Sequence, residues 1–217
     1  MKSALPLALF LLLPFVAFGG GGTAYQALNV VGARSKAHLQ NVIEIKGRNG
    51  TPQPATWMVL LNDPMARGGV RELEVARGNI VSERTPLKVP GSETGKVMNL
   101  TRLNLDSEGA FAVAEEEARV AKVRYHGADY ALRADLVSGT PIWVLHLLDK
   151  DQKSIASVTI AADTGKVLSK TFQGRETKGS WSAGGGLKGR LIRFSDAMGN
   201  SFRKAGNRLH DFWDGGQ

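Results

Sequence analysis

Gly139-Thr140-Pro141-Ile142-Trp143-Val144-Leu145-His146-Leu147-Leu148-Asp149 decides the fold, because an earlier stretch follows the same plan. Gly50-Thr51-Pro52 leads, a few residues on, into Trp57-Met58-Val59-Leu60-Leu61-Asn62-Asp63. Trp57 and Trp143 lie 86 positions apart, as do Asp63 and Asp149, which implies a duplicated small domain. Both faces of each run are apolar, the mark of a central strand covered by a helix on one side. The second copy is expected to cover the other side of the first.

Working outward, Leu28, Val31, Ser35, His38 and Val42 recur at spacings of three and four, which predicts one face of a helix from Ala24. Its counterpart is Ala110, Ala114, Ala118 and Ala121, a narrow stripe that lets a helix lie close to a sheet. Asp106 or Ser107 is available as its cap. Each helix precedes a short strand candidate, Val42 to Ile45 or Tyr130 to Leu136, and then the Trp run. An alternating strand follows, with Leu73 and Val75 in one copy and Ala156, Val158 and Ile160 in the other. A turn at Gly78 or Gly165 and a last strand at Ile80-Val81 or Val167-Leu168 complete each copy.

The predicted class is therefore α+β, with two repeated helix-plus-antiparallel-sheet modules and a C-terminal amphipathic helix. The boundaries are a signal peptide over 1–24, modules over 25–86 and 106–172, and between them a linker over 87–105 with a connecting strand at Met98 to Leu105. A Gly-rich tether spans 173–186 and a basic amphipathic helix spans 187–217.

Length and composition agree with a folded, exported protein. The chain has 217 residues, 42% apolar and 22% charged, which excludes disorder as the overall reading. Lys2, the apolar stretch from Ala4 to Phe18 and the small residues Gly19 to Gly22 have the layout of a secretory signal, with a cut expected after Ala24. The apolar run is shorter than the roughly 20 residues that span a bilayer, so a permanent anchor is the lesser alternative. The chain has no cysteine, which excludes disulfides, thiol chemistry and a lipid-modified cysteine. The net charge of +8 favours anionic partners, such as lipid headgroups or envelope polymers, and nucleic acid is not expected as a partner outside the cytoplasm.

The alanine-striped helix, Pro141-x-Trp143-x-x-x-Leu147-Leu148-Asp149-Lys150-Asp151, and the strand ending in Asp163-Thr164-Gly165-Lys166-Val167 together resemble a PepSY domain over about residues 106 to 172. Residues 24 to 86 match more loosely. They keep Trp57, Asp63, Leu73, Val75, Gly78 and Ile80 but carry Ala76-Arg77-Gly78-Asn79 at the turn. The resemblance implies a non-enzymatic module outside the cytoplasm, associated with regulating or inhibiting peptidases and with cell-envelope proteins. It supplies no catalytic residue.

The residues on their own point the same way. Asp163-Thr164-Gly165 is also the tripeptide of aspartic peptidases, whose paired carboxylates share a proton. Lys166 and the lack of a second such Asp make it a hairpin turn instead. Gly184-Gly185-Gly186-Leu187-Lys188-Gly189 has dinucleotide-loop spacing but no strand before it, so it reads as linker. His38, His126, His146 and His210 are scattered, unlike a zinc site, and His146 reads as a partly buried imidazole. Trp57 and Trp143 read as core. No catalytic, cofactor-binding or metal-binding residue is assigned.

The last segment differs. Leu187, Leu191, Phe194, Met198, Phe202, Ala205, Leu209 and Phe212 recur by three and four among many cations. Gly189, Gly199 and Gly206 weaken this helix by about 1 kcal/mol each, so it needs a surface to fold against: lipid, a partner or the protein itself. Its candidate contact residues are Lys188, Arg190, Arg193, Phe194, Phe202, Arg203, Lys204, Arg208, Phe212 and Trp213. The expected function is that of a periplasmic or extracellular, non-catalytic binding protein, with an exported peptidase as the candidate partner. The alternative is a structural envelope protein held at a membrane surface by this helix.

Overall fold

A computed structural model describes residues 21–87 and 95–172, together with the backbone of 175–178. Helix α1 (Ala24–Arg34) starts at a capping box, in which Thr23 caps the Gln26 N–H while Gln26 reaches back to the Thr23 N–H. The predicted long helix breaks at extended Ser35, and a short α2 (Lys36–Leu39) follows. Helix α3 (Ser107–Ala121) is capped by Asp106 and closes on Lys122 in the left-handed conformation.

Among the described residues four strands follow α2, namely β1 (Val42–Gly50), β2 (Thr56–Asn62), β3 (Val70–Ala76) and β4 (Asn79–Arg84), and five follow α3, namely β5 (Gly127–Ala134), β6 (Pro141–Leu148), β7 (Ser154–Ala161), β8 (Val167–Phe172) and β9 (Arg175–Lys178). They form one antiparallel sheet in the order β4-β3-β2-β1-β5-β6-β7-β8-β9. This corrects the expected α+β class of two helix-plus-sheet modules. The protein is mainly β, and the two halves are joined edge to edge in a single sheet.

The join explains the correction. Strand β1 uses one edge for β2 and the other for β5, so neither half has a sheet of its own and the second half does not lie over the first. Gly47 stands opposite Trp57 and Leu132 opposite Trp143, which makes Lys46 and Ala131 equivalent, and these two pair with each other. The seam therefore repeats itself about that pair. A bulge at Glu74/Val75 between β3 and β4 recurs at Thr159/Ile160 between β7 and β8.

All three helices contribute to one core on one face of the sheet. Ala110, Ala114 and Ala118 of α3 are fully buried there, as the stripe predicts, whereas Ala121, its last member, is exposed at the helix end. Trp57 and Trp143, 2% and 0% exposed, meet edge to face at 6.4 Å between ring centroids, and Tyr130 packs against both. Met98, Leu100, Leu103 and Leu105 enter the same core from a connection with a 3-10 turn at Leu100–Arg102, where a strand is expected from sequence. Strand β9 occupies part of the expected tether. The two Gly-Thr-Pro stretches are not equivalent, because Gly139 lies in the β5–β6 turn whereas Gly50 ends β1.

Candidate functional site

The two helix starts meet over the middle of the sheet. Trp57 Nε1 donates to the Gly22 carbonyl at 2.6 Å, and Trp143 Nε1 donates to the Leu105 carbonyl at 2.8 Å. Gly22 and Leu105 each stand one residue before the helix cap, so each indole ties its strand to the start of its helix. Asp106 Oδ1 accepts from its neighbour Ser107 N at 2.6 Å and from Tyr25 N of α1 at 3.0 Å. Ser107 Oγ accepts from Ala24 N at 3.0 Å and donates to Gln53 Oε1 at 2.7 Å. Tyr25 Oη donates to the Leu103 carbonyl.

Burial pushes the Asp106 carboxyl above its ordinary value, against the hydrogen bonds that favour its anion. Burial also pushes the Tyr25 and Tyr130 phenols up. Asp106 is occupied by backbone donors, which makes it a clamp between helices. Beside this junction, Gln26, Ala27 and Val30 of α1 face Trp57, Val75 and Arg77 across a cleft of about 230 Å³.

The opposite face of the sheet carries none of the described helices. Side chains alternate along each strand, so cross-strand pairs trace continuous rows on that face. One row runs Arg84, Glu72, Leu60, Glu44, Arg133, Ile142 and Ala161. The next runs Ser82, Glu74, Met58, Lys46, Ala131, Val144, Thr159 and Ser169. Leu60 and Ile142 are buried although they lie outside the main core. Glu44 pairs with Lys46 at 2.8 Å, and Arg84 pairs with buried Glu72 at 2.5 Å. The rows thus cross the seam without a break, with ion pairs beside Leu60 and Met58 in the first half and the apolar Ile142 and Val144 in the second.

The structure also locates the weighed motifs. Asp163 pairs with Arg102 at 3.0 Å, and Gly165 has the positive φ of 71° that the turn needs, so Asp163-Thr164-Gly165 closes the β7–β8 hairpin. Asp63 and Asp149, which end the two Trp runs, organise the loops after them. Asp63 accepts from Met65 N and pairs with Arg71, whereas Asp149 accepts from Asp151 N and Lys153 N. These bonds hold both carboxyls below the usual range: at Asp63 the hydrogen bond from the Arg71 side chain leads, and at Asp149 the one from the Lys153 backbone.

Sequence spacing did not foretell that His146 Nδ1 and Ser154 Oγ come within 3.5 Å. Asp129 faces His146 across the strands, but its carboxylate accepts from Asn49 N at 2.9 Å. Among the described residues no cluster of three or more His, Cys, Asp or Glu is placed to hold a metal ion. No described helix is long and apolar enough to cross a membrane. The Gly184–Gly189 stretch, His210 and the predicted contact residues Lys188, Arg190, Arg193, Phe194, Phe202, Arg203, Lys204, Arg208, Phe212 and Trp213 lie outside the described residues.

No protein-family model matches this chain. No curated protein matches it either. Among solved structures it is similar to a provisionally assigned lipoprotein of Clostridium difficile 630, with 14% identity and a TM-score of 0.46, over 67% of this chain and 89% of that one.

Proposed function

We propose that this chain is an exported binding protein of the cell envelope, acting through the helix-free face of its sheet on a protein partner, with exported peptidases as the partner class. The observation that carries this reading is the pair of unbroken rows on that face, where half-buried Met58 and Val144 flank the seam beside the Glu44–Lys46 ion pair. Surfaces that mix apolar patches with charged rims suit protein recognition. The signal-like N-terminus supports the compartment, and the resemblance to PepSY domains suggests the partner class.

The test is affinity capture from the organism's own envelope fraction with the mature chain and with a K46E/R133E variant. Wild type is expected to capture and inhibit a peptidase, and the variant to lose both when assayed well below its midpoint, which should fall because Glu44 loses Lys46 and faces new carboxylates, with unfolding still a single transition. Equal capture by the two would remove the face from the reading, and recovery without a peptidase would remove the partner class. The second reading, attachment to an envelope surface through 187–217, rests on the cationic and apolar periodicity of that segment. It predicts flotation with anionic vesicles that is lost when 187–217 is deleted.

A further inference from the structure

Residues Gly21 to Ala24 are built into the fold. A Cβ on Gly21 would fall 1.6 Å from the Pro54 carbonyl oxygen, so the chain already lies tight against the loop before β2. Gly22 supplies the acceptor for the buried Trp57 indole, and Thr23 caps α1. Ala24 has no exposed surface, and its N–H is held by Ser107 of the other half.

A cut after Ala24 would remove all of these. The Trp57 N–H would lose its acceptor, α1 its cap and the core a side chain. The new ammonium at Tyr25 would face Asp106, which is a single compensation for several losses, and it would have to be buried to collect it. A processing site compatible with this fold lies further upstream, where small residues must stand one and three positions before the cut. Ala17 and Gly19 satisfy that spacing; Gly19 with Gly21 and Gly20 with Gly22 do too, but both of those cuts remove Gly21 from its seat against Pro54.

We infer that an export peptidase hydrolyses the Gly19–Gly20 bond, so that the mature chain begins at Gly20 and retains Gly21 to Ala24 as the start of its folded domain. Water adds across that amide, leaving a carboxylate on Gly19 of the released leader and an amino group on Gly20. The inference rests on the export reading.

The full-length chain, expressed with its leader in an exporting bacterial host, is recovered from the envelope fraction, and its intact mass and N-terminal sequence are read. A start at Gly20 is expected, and an exported chain with any other start, Tyr25 included, overturns the inference alone. An uncut chain confined to the cytoplasm overturns the export reading with it. Gly19→Leu is expected to abolish the cut, and normal processing of that variant counts against the site. Purified chains starting at Gly20 and at Tyr25 supply a physical control. The shorter one is expected to melt several degrees lower, and equal midpoints would remove the structural reason for the assignment.

Discussion

The carboxylate of Asp106, which caps α3, accepts the backbone N–H of Tyr25 in the first turn of α1 at 3.0 Å. One side chain thus serves two helix starts that come from different halves of the chain. Helix N-termini carry partial positive charge, so two of them converging on one carboxylate offset part of the cost of burying it.

Asp106→Ala leaves the Tyr25 and Ser107 donors without this acceptor and should cost about 2–3 kcal/mol. Asp106→Asn keeps an acceptor oxygen in place and should cost about 1 kcal/mol or less. Urea unfolding of both variants checks the pair. Equal losses would mean that the negative charge, rather than the acceptor, is what the junction needs.

The same carboxyl sets a pH dependence whose sign follows from burial. Its folded value is raised above the ordinary 3.8, so the contribution it makes is full below that value and is lost as pH climbs through the raised one. Asp63, Asp135 and Asp149 are held low, and they act in the opposite sense, losing their contribution as pH falls below the ordinary carboxylate range. The difference in urea midpoint between wild type and Asp106→Asn should therefore move against wild type as pH rises through mild acid. A pH-independent difference would contradict the assigned direction.

The shared core predicts one unfolding transition. Two helix-plus-sheet modules would melt separately, whereas Trp57 and Trp143 in edge-to-face contact belong to one cooperative unit. Tryptophan fluorescence and far-ultraviolet circular dichroism should give coincident curves.

Truncating either Trp57 or Trp143 to Ala should cost about 3–5 kcal/mol. Their contact should appear as a coupling of about 0.5–1.5 kcal/mol in a double-mutant cycle, which independent halves would not show.

Asp163→Asn should change stability by about 1 kcal/mol or less, because the partner Arg102 is half-exposed and an amide oxygen can still accept its hydrogen bond. On the proposed reading the variant should inhibit a captured peptidase as well as wild type, since Asp163 lies in the β7–β8 turn and is not among the residues of the two rows.

The legible parts of this fold were those written in local sequence. Asp106 before a stripe of alanines announced a capped helix, Trp143 in an apolar run announced a buried strand, and Asp163-Thr164-Gly165 announced a turn. The join was not legible, because nothing near Lys46 or Ala131 says which strand edge will be taken. Apolar residues on both faces of the Trp runs suggested a covering layer. In the structure Leu60 sits in register between Glu44 and Glu72, whose side chains can shelter it without a second layer. The proximity of His146 and Ser154 arises from a hairpin register, and the role of Gly22 from a contact 35 residues away. Neither has a signal in spacing.

The seam between β1 and β5 carries one more implication. Because Lys46 and Ala131 are equivalent and also partners, each half presents an edge that fits its own kind. This is the geometry of an isologous contact, which needs a single surface to be made twice. An ancestral half-length chain could have used that edge to dimerise with itself, and duplication followed by fusion would turn such a symmetric pair into the present single-chain sheet, leaving each copy free to diverge on its outer face.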